Sequence, residues 1–115
     1  MNNECVFCKI ADRRIPSDIV YDGEKVLVFR DLKPQAPIHF LAIPKKHISS
    51  LNDIGKSDMP LMADMMEAVK DVAERYKIGA DGYRVVVNCN ENGGQEVFHL
   101  HFHILGGRRM TWPPG

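Results

Sequence analysis

The sequence lacks a surplus of charge of either sign. Its 115 residues include 15 Lys and Arg and 15 Asp and Glu, so the formal net charge is zero. Binding to nucleic acid or to an anionic membrane depends on a basic surplus, and neither partner is expected. The longest apolar runs are far shorter than the ~20 residues of a membrane span. Residues 1–5 carry no basic segment and no long apolar one, so no secretory signal is expected.

Cysteine is scarce, and the number of cysteines is odd. Three cysteines, Cys5, Cys8 and Cys89, fit poorly with a disulfide framework. A reducing compartment is therefore expected, with the cytoplasm as the first choice. Internal repeats, low-complexity stretches and linker-like composition shifts are also lacking. With 44% hydrophobic and 26% charged residues, the sequence predicts a single globular domain over residues 1–115.

Short segments rich in strand-forming residues recur along the chain, separated by Pro, Gly and Asp. A short helix over residues 5–14 precedes them and ends before Pro16, since the residue before a proline disfavours helix. The predicted strands cover residues 19–21, 25–31, 38–43, 83–88 and 99–105. Together with one long helix they predict an α+β domain with a five-stranded antiparallel sheet.

The long helix is predicted from apolar residues that recur at spacings of three and four. Ser57 or Asp58 is suited to cap its start, Pro60 fits the first turn, and Gly79 suits the position just past its end. The helix is expected to cover one face of the sheet and to leave the other for a ligand or partner. The apolar stripe comprises Leu61, Met62, Met65, Met66, Val69, Val72, Ala73 and Tyr76.

Three histidines alternate with apolar residues in the last predicted strand. Strand side chains alternate between faces, so His99, His101 and His103 are expected on one face, away from the helix. A neutral imidazole is a competent nucleophile, and its ordinary pKa of about 6.5 leaves it neutral at pH 7. A histidine row that binds metal or faces solvent remains the alternative.

A glycine-rich loop precedes this strand. Gly93 and Gly94 permit backbone conformations that aim successive N–H groups at an anion, although a plain turn is also open. Beside a histidine row, a phosphate cradle is favoured. The residues alone thus suggest phosphoryl or nucleotidyl transfer by a histidine nucleophile.

Residues 93–105, Gly-Gly-Gln-Glu-Val-Phe-His-Leu-His-Phe-His-Ile-Leu, resemble the signature of the histidine triad family. The likeness to the Hint branch of that family extends over nearly the whole chain, through residues 31–49, Val87-Asn88 and the end Trp-Pro-Pro-Gly. It implies the family's HIT-like fold and a purine nucleoside phosphoramidase that binds AMP or GMP. It also implies a homodimer whose two sheets join into one.

The resemblance assigns roles to individual residues. It implies that His101 is the nucleophile, oriented by the carbonyl of His99, that His103 contacts the α-phosphate, and that His39 assists the nucleophile. It implies that Asp31 accepts hydrogen bonds from the ribose hydroxyls. The remaining implied contacts are Asn88, Gly94, Gln95 and Glu96 around the phosphate, with Gln95 also catalytic, and Val6, Phe7, Ile10, Phe29 and Leu32 around the base.

One departure from the family pattern is Glu96, which stands where animal members carry a serine thought to protonate the leaving amine. Bacterial members with glutamate there resemble this chain, so activity is still expected. Two further readings remain: a nucleotide-sensing dimer with incidental turnover, and a dinucleoside polyphosphate hydrolase of the Fhit-like branch. The Trp-Pro-Pro-Gly end favours the Hint branch.

The Cys5-x-x-Cys8 spacing allows two thiolates to bind one tetrahedral zinc ion. Since Cys89 is alone, two further ligands would be histidines. The resemblance to zinc-binding family members implies His47 and His99 as these ligands and a structural zinc. The alternative is that Cys5 and Cys8 are small buried thiols.

Overall fold

A computed structural model of the chain describes residues 4–115. Its three helices are α1 (Val6–Ala11), α2 (Met59–Arg75) and the single turn α3 (Asn90–Gly93). Two 3₁₀ turns, Leu51–Asp53 and Lys56–Asp58, lead into α2. The strands are β1 (Ile19–Asp22), β2 (Val26–Arg30), β3 (Ile38–Pro44), β4 (Tyr83–Val86) and β5 (Phe102–Gly106).

The five strands form one antiparallel sheet in the order β1-β2-β3-β5-β4. The predicted fold class is therefore confirmed. β3 lies at the centre, between β2 and β5, and its register sets Leu41 opposite His103 and His39 opposite Leu105. This register brings histidines from two neighbouring strands close together. β4 ends the sheet on the side of β5.

The two faces of the sheet carry separate apolar clusters. One cluster joins α2 to the alternate residues of the strands, among them Phe40, Ala42, Phe102 and Ile104. The second lies on the other face, where α1 packs against β2 and β3. Its buried members are Phe7, Ile10, Leu27, Phe29, Leu41 and Ile43. The second face is thus partly covered by α1 rather than left bare.

β5 begins three residues later than the sequence predicts. The N–H of Leu100 donates to the carbonyl of Ile48 at 2.7 Å, and the carbonyl of His99 accepts a hydrogen bond from the His101 ring at 2.8 Å. These backbone groups are therefore occupied before the sheet ladder starts at Phe102. The predicted facing is nevertheless correct, because Leu100 packs in the cluster against α2 while the ring of Phe7 contacts both His99 and His101.

Four predictions about the helices are wrong. Met66 is 56% exposed, so the stripe of α2 is narrower than predicted. The left-handed residue after α2 is Lys77, with φ of 61°, and Gly79 has no such role. Asp58 occupies the position before α2, but its side chain accepts from Gly55 N–H and Lys46 instead of capping the helix. The short helix ends at Ala11, not at residue 14.

Candidate active site and metal centre

The central histidine has its ring fixed by a backbone carbonyl. Nδ1 of His101 lies 2.8 Å from the carbonyl oxygen of His99. A carbonyl only accepts hydrogen bonds, so Nδ1 carries the proton and Nε2 of neutral His101 has a free lone pair. His101 is 7% exposed, and Phe7 holds the ring edge-on at a centroid distance of 5.2 Å. A neutral imidazole held in this way has its Nε2 lone pair oriented and available for nucleophilic attack.

A second hydrogen-bond chain fixes the other two imidazoles of the site. The N–H of Gln35 donates to Nδ1 of His39 at 3.0 Å, so neutral His39 carries its proton on Nε2. That proton faces Nδ1 of His103 at 2.9 Å, so neutral His103 carries its proton on Nε2. The rings of His101 and His103 lie 5.0 Å apart. The pair therefore combines a lone pair on one Nε2 with an N–H donor on the other.

The surroundings of His103 and His39 favour the neutral form of both rings. Burial lowers the pKa of His103 to about 4, helped by the repulsion that charged His101 and His39 would exert and opposed by Asp31. Burial also lowers the pKa of His39, with Asp31 again acting in the opposite direction. Neutral imidazoles at pH 7 are what the tautomer chain requires.

Asp31 lies just beyond β2, at the edge of this site. Its side chain is 20% exposed, and Oδ2 lies 3.3 Å from Nε2 of His39. Oδ1 accepts from the N–H of Lys33 at 2.8 Å. The carboxylate is therefore held in place by its own loop and by His39, with part of its surface open to a ligand.

The residues expected around a base divide into two groups. Phe7, Ile10 and Phe29 are buried in the cluster under α1, with Phe7 and Phe29 packed edge-on at 5.4 Å. Val6 is 41% exposed and Leu32 is 94% exposed, so these two are open side chains. Contact of all five with a base stays a prediction.

The glycine loop forms α3 and its exit. Gly94 has φ of 78°. Its N–H donates a hydrogen bond to the carbonyl of Glu91, and the N–H of Gln95 donates to the carbonyl of Asn90. The Gln95 side chain is buried and is engaged with the N–H of Asn90 and the carbonyls of Ser49 and Val97. Gln95 therefore supports the loop in this structure. Half-buried Asn88 and exposed Glu96 flank the loop, and the phosphate and catalytic roles of this group stay predictions.

Four side chains gather where α1 meets the approach to β5. The ligand atoms of Cys5, Cys8, His47 and His99 all lie within 4.8 Å of one another. Nδ1 of His99 is 3.3 Å from Sγ of Cys5 and 3.5 Å from Sγ of Cys8. Nδ1 of His47 is 3.3 Å from Sγ of Cys8 and 3.2 Å from Nδ1 of His99. The structure thus brings together all four predicted metal ligands.

The donor set and its surroundings suit a metal ion. With Zn–S of about 2.3 Å and Zn–N of about 2.0 to 2.1 Å, neighbouring ligand atoms of a tetrahedral site are roughly 3.3 to 3.8 Å apart. The separations given above are close to this range. Nε2 of His99 lies 2.7 Å from the carbonyl of Pro44, so the proton sits on Nε2 and the Nδ1 lone pair faces the thiols. Such an outer hydrogen bond is typical of metal-bound histidine.

Asp31, His39 and His103 form a second group with metal-ligand side chains. A metal ion on Nε2 of His39 would force the ring proton onto Nδ1, where it would face the N–H of Gln35. Two donors would then oppose each other. The arrangement fits a proton-bearing relay better than a metal site.

Two functional groups in this region escape sequence reasoning. The N–H of Gln35 fixes the tautomer of His39, and the carbonyl of Pro44 fixes that of His99. Both are backbone groups, so no residue type in the sequence marks them.

Within residues 4–115, the structure contains no helix that is both long enough and apolar enough to cross a membrane.

A family model described as scavenger mRNA decapping enzyme, C-term binding, matches residues 4–111. This chain belongs to the histidine triad (HIT) family, as its motifs predict. It is 46% identical over 110 residues to the purine nucleoside phosphoramidase of Escherichia coli K12, covering 96% of this chain and 92% of that protein.

Other relatives and solved structures agree with this assignment. An uncharacterized HIT-like protein of Synechococcus elongatus is 44% identical over 115 residues, with full coverage of both chains. A HIT family hydrolase from Legionella pneumophila superposes with a TM-score of 0.96 at 50% identity, covering 97% of this chain and all of that one. A histidine triad protein from Clostridium difficile gives a TM-score of 0.94 at 43% identity, covering 96% of each chain.

Proposed function

We propose that this protein hydrolyses the P–N bond of purine nucleoside 5′-phosphoramidates and releases AMP or GMP and an amine. The observation that carries the proposal is the hydrogen bond from Nδ1 of His101 to the His99 carbonyl, which leaves the Nε2 lone pair free. The E. coli relative named purine nucleoside phosphoramidase supports the choice of substrate.

The reaction takes place in two displacements at the α-phosphorus. In the first, Nε2 of His101 forms a bond to phosphorus while the P–N bond to the amine breaks, and the departing amine takes up a proton from solvent. In the second, water attacks phosphorus and gives up a proton to solvent, the bond to His101 breaks, and the nucleoside monophosphate is released. The His99 carbonyl stabilises the positive charge on His101 in the intermediate.

His103, Asp31 and the apolar residues near α1 are proposed to hold the nucleotide during these steps. The Nε2–H of His103 donates to an α-phosphate oxygen, where negative charge builds up in the transition state. Asp31 accepts hydrogen bonds from the ribose hydroxyls, and the apolar residues near α1 contact the purine. Charge stabilisation at the phosphate accelerates the chemistry, whereas the ribose contact contributes mainly to binding.

We further propose that Cys5, Cys8, His47 and His99 hold a structural zinc ion. Four protein ligands close the coordination sphere, so zinc would stabilise the fold and would not activate water. The protein is also proposed to act in the cytoplasm as a homodimer. Nucleic acid and membranes are not among the proposed partners.

The test compares wild-type protein with the His101→Ala variant on adenosine 5′-phosphoramidate. Loss of a nucleophile usually lowers the rate by several orders of magnitude, while ground-state contacts to ribose and base persist. We expect turnover to be nearly abolished and AMP binding, measured by calorimetry, to remain measurable. A variant that keeps more than about a tenth of wild-type kcat would contradict the assignment.

The same assay separates the two other candidate functions. A nucleotide-sensing dimer would bind AMP without appreciable hydrolysis of the phosphoramidate. A dinucleoside polyphosphate hydrolase would cleave diadenosine polyphosphate faster than the phosphoramidate. We expect the phosphoramidate to be the better substrate.

A further inference from the structure

The Arg108 side chain donates hydrogen bonds to the backbone carbonyl of Gln35 at the edge of the candidate active site. It lies two residues beyond the end of β5, and its Nε and Nη2 donate to the carbonyl of Gln35 at 3.2 and 2.9 Å. Its Nη1 donates to the carbonyl of Arg109 at 3.1 Å. The planar guanidinium fork therefore contacts one oxygen with two N–H groups, which fixes direction as well as distance.

The backbone beside Arg108 is shaped for this contact. Gly107 has φ of 87°, which a residue with a side chain rarely adopts. A Cβ at this position would lie 2.9 Å from Cβ of Pro37. Glycine thus lets the chain leaving β5 pass close to the loop before β3 and places Arg108 beside Gln35.

Gln35 links Arg108 to the two imidazoles at the phosphate end of the site. Its carbonyl is held by Arg108, and its N–H donates to Nδ1 of His39 at 3.0 Å. His39 in turn faces Nδ1 of His103 at 2.9 Å. The loop that carries Gln35 is largely exposed. Within the loop, Nε2 of Gln35 donates to the carbonyl of Lys33 at 3.1 Å, and Arg108 adds a contact from outside the loop that holds the Gln35 carbonyl.

We propose that Arg108 is a positioning residue, which holds Gln35 so that its N–H fixes the proton of His39 on Nε2 and, through it, the proton of His103 on Nε2. The consequence for turnover rests on the proposed function, in which the Nε2–H of His103 donates to the phosphate. Arg108 itself touches neither imidazole, and it acts only through the Gln35 backbone.

The physical reason lies in the coupling of the two tautomers. If the Gln35 N–H moves away, the contact of Nε2 with Asp31 Oδ2 at 3.3 Å still favours a proton on Nε2 of His39. His39 has then lost the donor at Nδ1, and it can also carry its proton on Nδ1 and accept at Nε2. His103 would then donate from Nδ1 and present a lone pair at Nε2. A lone pair facing a phosphate oxygen repels it, so the wrong tautomer weakens transition-state stabilisation.

Three variants test this positioning role. Arg108→Ala removes the fork, Arg108→Lys keeps the charge and a donor, and Arg109→Ala is a matched control because its exposed side chain lies outside the relay. Long-range ¹⁵N NMR of the histidine rings reports the tautomers directly. Steady-state kinetics reports kcat and KM separately, and melting temperatures identify any loss of fold.

We expect Arg108→Ala to show mixed tautomers at His39 and His103 and to lose about tenfold in kcat with little change in KM, as for the outer partners of metal-bound histidines. Arg108→Lys should fall between it and wild type, and Arg109→Ala should match wild type. Wild-type tautomers in Arg108→Ala, or altered tautomers at unchanged kcat, would overturn the proposal. If Arg108→Ala unfolds, the same two criteria apply to Arg108→Lys.

Failure of the proposed function gives a different result. Wild-type protein without phosphoramidate turnover would reject that function, while the tautomers of Arg108→Ala would still decide whether Arg108 fixes them. A purely structural role would lower the melting temperature and leave the tautomers of the folded protein unchanged.

Discussion

The imidazoles of the active site differ chiefly in what their Nδ1 atoms contact. His101 donates from Nδ1 to a carbonyl, whereas His39 and His103 accept at Nδ1. Chemically identical side chains thereby obtain two tautomers, with the proton on Nδ1 in His101 and on Nε2 in His39 and His103, and the proposed mechanism uses them for attack and for phosphate binding. The decisive groups are backbone N–H and C=O atoms. The family resemblance predicts the His99 carbonyl, whereas no residue type in the sequence marks the N–H of Gln35.

Asp31 provides a test of nucleotide recognition at the residue scale. We expect Asp31→Ala to weaken AMP binding by about 1.5 to 3 kcal/mol, the range for hydrogen bonds to a charged group. The loss should shrink for a 2′,3′-dideoxy ligand, which lacks both hydroxyls. Calorimetry with both ligands measures the difference.

A second variant controls for the loop around Asp31. Asp31→Asn keeps an oxygen that can accept from the N–H of Lys33, but it lacks the charge. It should retain the loop and bind AMP with intermediate affinity. Equal losses with AMP and its dideoxy analogue in Asp31→Ala would remove Asp31 from the ribose role.

His103 makes stability depend on pH. Its pKa is lowered from 6.5 to about 4 by burial and by repulsion from charged His101 and His39. Between these values the unfolded chain binds more protons than the folded one, so the free energy of unfolding rises with pH. We expect stability to fall as the pH is lowered from 7 towards 4.

Urea denaturation at several pH values measures this dependence. His103→Gln removes the titrating group and should give a shallower slope than wild type over the same range. Any effect of acid on the cysteine and histidine cluster is common to both proteins and cancels in the comparison. Identical slopes would show that His103 does not have a lowered pKa.

At the scale of elements, the cluster of Cys5, Cys8, His47 and His99 connects α1 to the approach to β5. Cys5 and Cys8 lie at the start of α1, and His99 contributes its Nδ1 to the cluster and its carbonyl to the contact that orients His101. A bound ion would therefore stabilise the segment whose carbonyl orients His101. The same segment lies outside the sheet ladder, so the strands alone do not fix it.

The zinc proposal predicts a specific effect of removing one thiolate. Cys5→Ser should lower both the zinc content and the melting temperature, because binding energy of a structural metal contributes to folding energy. Elemental analysis of wild type should find about one zinc per chain. Cys89→Ser is the matched control, since Cys89 lies outside the four-residue cluster. Equally stable and active protein without zinc would end the proposal.

The elements also show how much the sequence can predict. Alternation in residues 99–105 correctly predicts that the histidines face away from α2, because strand facing follows from a period of two. The start of β5 could not be predicted, because it depends on bonds from Leu100 to Ile48 and from His101 to His99. The burial of the Gln95 side chain could not be predicted either, because it depends on a hydrogen bond to the carbonyl of Ser49, which is distant in the sequence.

The candidate site follows the same division. The Cys-x-x-Cys spacing and the triad motif predict which side chains gather, since residue types and spacing carry that information. The resemblance adds His47 and His39, which lie far along the chain from their partners. The resemblance also predicts the contact of His101 with the His99 carbonyl, which fixes the tautomer of His101. Neither spacing nor resemblance predicts the tautomers of His39 and His103 or the part that Arg108 plays, since these depend on the conformation of the loop around Gln35.

For the whole molecule, the free edge of β4 bears on the oligomeric state. β4 pairs only with β5 in the sheet, and Val85 on it is 37% exposed. An unpaired edge is a template for another strand, which supports the proposed homodimer. Light scattering should give twice the monomer mass of 13.0 kDa. A mass near that of the monomer at micromolar concentration would contradict it.

The central claim is that a nucleotidyl group is transferred first to His101 and then to water. The most direct measurement is the stereochemical course at the α-phosphorus, using a nucleoside phosphoramidate made chiral there by isotopic or sulfur substitution and hydrolysed in labelled water. Each in-line displacement inverts phosphorus. Two displacements predict a nucleoside monophosphate with overall retention of configuration. Overall inversion would mean that water attacks the substrate directly, and it would contradict the covalent role of His101.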